Sequence, residues 1–204
     1  MATGRREQKP LDLLVLSMLV ERPMHPYEMA QLAIKRHLDR LVSIRTTSVY
    51  NVVARLLDKG LVAVYEVQRE GNRPERAVYA LTCAGREAHR RTLESLLAEH
   101  PVEHPRLYLA LAQAHELPRE DAIRLLQTRR AAMATELAAT VGLIAENSAV
   151  PEIFRLDGGM RVATLRAQIA WLEDLVERID TNTIAWLDEA LRDCNDNGLD
   201  GIDS

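Results

Sequence analysis

Only two cysteines stand in 204 residues, Cys83 and Cys194, far apart and in no paired spacing. They support neither a disulfide framework nor a zinc knuckle, and a reducing cytoplasm is the simple inference. Aromatic residues are scarce at 4% while Leu, Ala, Glu and Arg abound; unbranched side chains lose little rotamer freedom in a helix, so a mainly α fold is expected. The longest apolar run, LLVLSMLV at 13–20, falls well short of the ~20 residues that span a bilayer, and no cleavable leader is evident. A soluble chain without a membrane partner is expected. Nucleophile elbow, P-loop, dinucleotide fingerprint and HExxH are all missing, so no catalytic residue and no cofactor are assigned and an enzyme is not expected. Two near-misses for metal remain. His100, Glu103 and His104 lie close together, but flanking Pro101 and Pro105 make them read as an interdomain linker. Asp193, Asn195, Asn197 and Gly198 follow calcium-loop steps, yet Ser204 stands where the bidentate Glu belongs, leaving 193–204 as an acidic disordered tail.

What is present is a chain with 47% hydrophobic residues, enough for a real core, and a net charge of −4 that hides a division. Residues 1–92 carry 16 Lys and Arg against 10 Asp and Glu; residues 93–204 carry 10 against 20. A basic first half suits a polyanion, and an acidic second half suits self-association or sensing. Domains are accordingly expected at 1–92 and 93–192, ahead of the tail.

The stretch IRTTSVYNVVARLLDKGL at 44–61 organises the first half. Wound at 3.6 residues per turn, Val49, Val52, Val53, Leu56 and Leu57 share one stripe, while Thr47, Ser48, Asn51, Arg55 and Asp58 share the other side. One face is core and the other is offered outward. Thr46 or Thr47 can cap the start, and Lys59-Gly60 closes the end with a cation and a residue free to turn left-handed.

Before it, MATGRREQKP carries Arg5, Arg6 and Lys9 with nothing apolar to pack, a mobile arm able to touch phosphates or a minor groove. Pro10 opens a short, largely buried helix, and His25-Pro26-Tyr27 opens another to about Leu41, with Tyr27, Gln31 or Ala30, Ile34, Leu38 and Leu41 along one face and Lys35, Arg36 and Arg40 outside. His25 reads as a capping or packing residue. After Gly60, VAVYEVQ and AVYALT read as strands of a hairpin whose turn is Gly71-Asn72 and whose tip gathers Arg69, Arg73 and Arg76. Thr82 can cap a helix from about Ala84 to Glu99. Helices with a basic-tipped hairpin make a winged helix-turn-helix.

The run from Leu16 to Met29, Ser48-Val49-Tyr50, Lys59-Gly60-Leu61-Val62, Tyr79-Ala80-Leu81-Thr82 and Ala84-Gly85-Arg86-Glu87 together resemble the PadR family of bacterial transcription regulators over about residues 11–90. Pro26, Ile44-Arg45-Thr46-Thr47 and Asn51 depart from the family pattern, so its operator sequence does not carry over. The resemblance implies a homodimeric repressor, or less often an activator, with C-terminal helices that make the dimer and a small molecule that adjusts DNA affinity. Leu107–His115, Pro118–Asn147 and Gly159 to about Leu191 read as those helices. On the last, Leu165, Ile169, Leu172, Leu175 and Ile179 recur at three- and four-residue steps as a dimerisation seam, whose partner is the 119–147 helix of the same chain, that of a second copy, or both. Trp171 and Trp186 are candidates for contact with a small aromatic effector, with packing as the alternative use.

On double-stranded DNA, Asn51 suits adenine and Arg55 guanine, each worth about 1–3 kcal/mol of discrimination. Thr46, Thr47 and Ser48 suit phosphates, Tyr50 the rim, Arg69, Arg73 and Arg76 the wing's backbone contacts, and Lys35 and Arg36 a flanking backbone contact. Two copies on a dyad would read an inverted repeat. The competing reading is a winged-helix protein-interaction module without DNA binding.

Overall fold

Pro10 and Pro26 stand at the first helical positions of α1 (Pro10–Glu21) and α2 (Pro26–Lys35), where the missing N–H costs nothing and φ is already helical. The computed structural model describes residues 9–68 and 76–186. The chain divides into two compact units, Met1–Val102 and Glu103–Ser204, with the boundary inside the proline-flanked 100–105 stretch. Arg5, Arg6, Arg69, Arg73, the Gly71-Asn72 turn and the 193–204 tail lie outside the described residues.

In the first unit, α1 buries Val15, Leu16, Met18 and Leu19. α2 is shorter than its pattern suggested: His37 turns left-handed at φ 55 and a single 3-10 turn, Leu38–Arg40, follows. Its packed face is rotated from the expected one: Ala30 is buried and Leu38 packs on the core as expected, but Tyr27, Ile34 and Leu41 are exposed, and Met29 and Ala33 complete the buried side. Ala30 and Ala33 thus join Val49, Val52, Val53 and Leu56 of α3 in one core. α3 (Thr46–Asp58) buries Val49, Val52, Val53 and Leu56 and leaves Leu57 exposed. It starts at Thr46 with Arg45 as N-cap and no side-chain cap bond, so neither threonine caps it. A cap is worth ~1 kcal/mol, against ~1.5–3 kcal/mol for each of four buried apolar side chains; packing decides this helix.

Gly60 ends α3 at φ +67, with Gly60 N donating to Leu57 O (2.9 Å) and Leu61 N to Leu56 O (2.9 Å), a left-handed C-terminal turn that satisfies the last carbonyls. β1 (Val62–Gln68) and β2 (Arg76–Leu81) pair antiparallel, with a bulge between Val64 and Glu66. Met24 and Tyr79 exchange N–H···O bonds of 3.0 Å across the other edge of β2, tying the α1–α2 connection to the hairpin. α4 (Cys83–Ala98) starts from Thr82, whose hydroxyl accepts from Gly85 N (3.0 Å) and donates toward Gly60 O (2.8 Å) and Leu61 O (3.0 Å). α4 lies on α1, where Ser17 Oγ donates to Leu13 O and meets His89 Nε2, both at 2.9 Å.

The second unit begins with α5 (Arg106–Ala112) and a 3-10 turn, then pairs α6 (Arg119–Glu146) with α7 (Leu156–Asp180). The pair is antiparallel: Arg119 at the start of α6 donates to Ile179 O (2.8 Å) at the end of α7, while Arg161 near the start of α7 meets Glu136 (2.8 Å). Leu126 and Met133 of α6 face Leu165, Leu172 and Ile179, spaced seven apart on α7, in one cluster, the spacing of a two-helix seam. Of the partners open to the α7 seam, the 119–147 helix of the same chain is the one the structure shows. Leu165, Leu172 and Ile179 are buried within the chain and Ile169 and Leu175 pack partly buried beside them, because a 28-residue α6 covers the stripe along its length. α7 also stops at Asp180 instead of running to Leu191. Asn182 is left-handed at φ 60, Ile184 N donates to Arg178 O (3.0 Å), and the chain turns back so that Ile184 and Trp186 pack on the seam. No helix among the described residues is long and apolar enough to cross a membrane.

A Cβ at Gly85 would sit 1.9 Å from Leu61 O and 2.9 Å from a Leu81 methyl. Backbone cannot yield as a side chain does, so Gly85→Ala is expected to destabilise the first unit by about 1–3 kcal/mol or more, and Thr82→Ala by about 1 kcal/mol. Thermal unfolding of the two variants checks the order.

Candidate nucleic-acid interface

The outward face of α3 follows from its buried stripe. With Val49, Val52, Val53 and Leu56 inside, Thr47, Tyr50, Asn51, Ala54 and Asp58 are exposed, and Thr46 and Ser48 are half-buried at the start. Asn51 stands at the centre with its amide open to solvent. Tyr50 is 44% exposed and its ring meets His25 edge-on, centroids 5.8 Å apart at 80°, an arrangement aromatic quadrupoles favour. His25 is also the N-cap of α2, its Nδ1 accepting from Tyr27 N at 3.2 Å, as its place in the sequence suggested. Burial lowers the His25 pKa first, and the charge of Arg76 lowers it further. Arg76 is exposed at the start of β2. Thr47, Tyr50 and Asn51 share the open face of α3, and Tyr50 joins that face to His25.

Two expected cations are otherwise engaged. Arg36 holds Glu21 through two bonds, Nη1–Oε1 2.5 Å and Nη2–Oε2 2.9 Å, so its charge is matched on the protein. Arg55 does not project with Asn51: its guanidinium donates to Asp12 of α1, a carboxylate only 2% exposed. The helical wheel placed Arg55 on the polar side, but a buried carboxylate beneath the edge of that face draws the long side chain inward. Lys35 is exposed without an ion-pair partner among the described residues.

Three positions were missed. Arg45, just before α3, and Lys59, just after it, are exposed cations without an ion-pair partner among the described residues. Ala54, one turn beyond Asn51, leaves the middle of the face low, so that a groove edge can approach. The wheel contained this signal, since 47, 51, 54 and 58 fall on one line, but an alanine carries no polar group to draw attention.

Three helices and a hairpin, with the third helix turned outward, define a winged helix-turn-helix protein. Residues 15–91 match the family model described as "Transcriptional regulator PadR-like family". Solved structures give the same fold at low identity. Bacillus subtilis PadR in complex with operator DNA is 18% identical with a TM-score of 0.67, covering 84% of this chain and 99% of that one. The same protein in complex with p-coumaric acid is 19% identical with a TM-score of 0.68, covering 84% and 99%. The Vibrio cholerae virulence activator AphA is 17% identical with a TM-score of 0.65, covering 84% and 98%. A comparison with curated proteins gives no match.

His25 and His89 both have pKa values lowered in the fold, His89 by burial and then by the charge of Arg86. Below the ordinary histidine value of about 6.5 the unfolded chain binds more protons than the folded one, so the stability they contribute is present above that pH and lost as pH falls through their lowered values. Thermal unfolding between pH 7 and 5 is expected to show falling stability, flattened in a His25→Gln/His89→Asn double variant. Glu21, Glu28 and Glu87, held below the usual carboxylate range chiefly by hydrogen bonds from Arg36, Arg22 and Arg90, act only at lower pH.

Proposed function

We propose that the protein is a sequence-specific DNA-binding transcription regulator, acting as a homodimeric repressor whose DNA affinity is lowered by a small aromatic molecule. The observation that carries this is the division of α3 into a fully buried apolar stripe and an open face centred on Asn51. On this reading Asn51 hydrogen-bonds an adenine edge, Ala54 meets a thymine methyl, and Thr47 and Ser48 with the first amides of α3 hold a phosphate. Arg45, Lys59, Lys35 and Arg76 supply backbone neutralisation, joined by the wing arginines 69 and 73 and the arm arginines 5 and 6. Tyr50, its ring edge-on to His25, contacts the rim on this reading.

A second copy needs apolar surface, and the α6–α7 seam is already filled. Exposed Ile153 and Phe154 in the α6–α7 connection, with Leu156 and Met160 at the start of α7, support a dimer contact there. For the effector, a cavity of about 330 Å³ lies within the second unit, lined by Trp171, Trp186, Leu111, Leu126, Leu175 and His115 among others. It falls at the lower end of ligand-site volumes, ~300–1,000 Å³. Trp186 Nε1 donates to Leu117 O at 2.9 Å, which fixes its ring as a wall; Trp171 is 49% exposed and offers a face. An apolar wall pair with one imidazole fits a flat ring bearing one polar group.

Purified protein titrated with the promoter upstream of its own gene is expected to bind tightly and salt-sensitively, as a dimer of twice 23.0 kDa by light scattering. Asn51→Ala is expected to lose about 1–3 kcal/mol of discrimination between that site and a scrambled duplex. Absence of binding at physiological salt favours the protein-interaction module instead. For the effector, p-coumaric acid is the first probe: it is expected to weaken DNA binding of the wild type, and Ala114→Phe, which adds a ring to the cavity lining, to abolish that response while leaving DNA binding intact.

A further inference from the structure

We infer that Asp12 is a positioning residue for the DNA-reading surface, acting through Arg55 to set the rotation of α3 and to keep a cation off the centre of its outward face. The inference rests on the DNA-binding reading above. Asp12 is the one buried charged side chain among the described residues, 2% exposed in the first turn of α1. An isolated carboxylate is not stable in such a place, and the Arg55 guanidinium that meets it is itself partly open, 36% exposed. The pair is therefore a fixed point joining the scaffold helix to the reading helix from the side, where the apolar stripe alone gives only a greased contact.

Rotation matters because reading is geometric. Side-chain tips stand ~5–6 Å from a helix axis, so turning α3 by ~10° carries the Asn51 amide ~1 Å. Hydrogen bonds hold over only about 0.5 Å, from ~2.7 to ~3.2 Å. Burial of Val49, Val52, Val53 and Leu56 is non-directional and tolerates such a turn; a charge-assisted bond to a buried oxygen does not. The pairing also cancels the one cation within the body of α3, so that exposed Arg45 and Lys59 bracket a neutral centre. Phosphate attraction then acts at the helix ends and base discrimination in the middle.

The test measures binding of the full chain to its own-promoter duplex and to a scrambled duplex by fluorescence anisotropy across a salt series. In Arg55→Met, the slope of log affinity against log salt is expected to stay unchanged, because no phosphate contact is lost, while the own-promoter to scrambled ratio falls about tenfold. In Asp12→Asn, the released Arg55 reaches a phosphate, and the slope is expected to steepen by about 1 as the ratio falls. The double variant is expected to match Arg55→Met, since the two residues act as one unit. A slope shallower by about 1 in Arg55→Met would make Arg55 a direct DNA contact and overturn the inference. So would lowered thermal stability in both variants with the ratio intact, which would make the pair structural only. Should Arg55→Met fail to fold, Asp12→Glu decides: the longer carboxylate displaces Arg55 with charge conserved, so the ratio is expected to fall at unchanged slope, and an unchanged ratio overturns the inference. Wild-type protein that binds neither duplex refutes the DNA-binding reading itself, a different outcome.

Discussion

The burial of four side chains on one flank of α3 is what every other feature of the first unit depends on. A 13-residue helix with no side-chain cap is marginal alone in water, so α3 exists because Val49, Val52, Val53 and Leu56 have somewhere to go. α1 supplies Val15, Leu16, Met18 and Leu19 to that core, α2 adds Met29, Ala30 and Ala33, and the bridge between Met24 and Tyr79 ties the hairpin to the same layer. Once the inner flank is committed, the outer flank is free of structural duty, and polar residues there cost nothing in stability. That freedom is what makes a surface available for recognition.

Charge in this unit is arranged mostly by cancellation. Arg22 pairs with Glu28, Arg36 with Glu21 and Arg55 with Asp12. Exposed pairs contribute little to stability because water and salt screen them, so their larger effect is on where positive potential remains: at the two ends of α3, on Lys35 and beside β2. The second unit answers a different demand. Its long helices carry a seam at seven-residue spacing that each fills for the other, with cross-helix pairs such as Arg130–Glu173 along the flank, and Arg119 caps the carbonyls that end α7.

Much of the fold was legible beforehand because its signals are local. The period of the α3 stripe, Pro10 and Pro26 at helix starts, left-handed Gly60, the strand pattern from Val62 to Gln68 and the cap at Thr82 each depend on a few neighbouring residues. The errors share a cause. α2 ends at Lys35 because His37 turns left-handed, and α7 ends at Asp180 where the chain folds back so that Ile184 and Trp186 pack on the seam; neither turn is marked by a proline or glycine in the sequence.

For the candidate site, the division is sharp. The sequence by itself determined which face of α3 is apolar, that Asn51 lies opposite it, and that a basic half precedes an acidic one, because helical periodicity and composition need no knowledge of what packs where. Only the tertiary structure decided that Arg55 turns to Asp12, that Arg36 is matched by Glu21, and that Trp171 and Trp186 line one cavity. A long cation goes where the nearest uncompensated carboxylate lies, and residues 43 positions apart become neighbours only when the chain has folded.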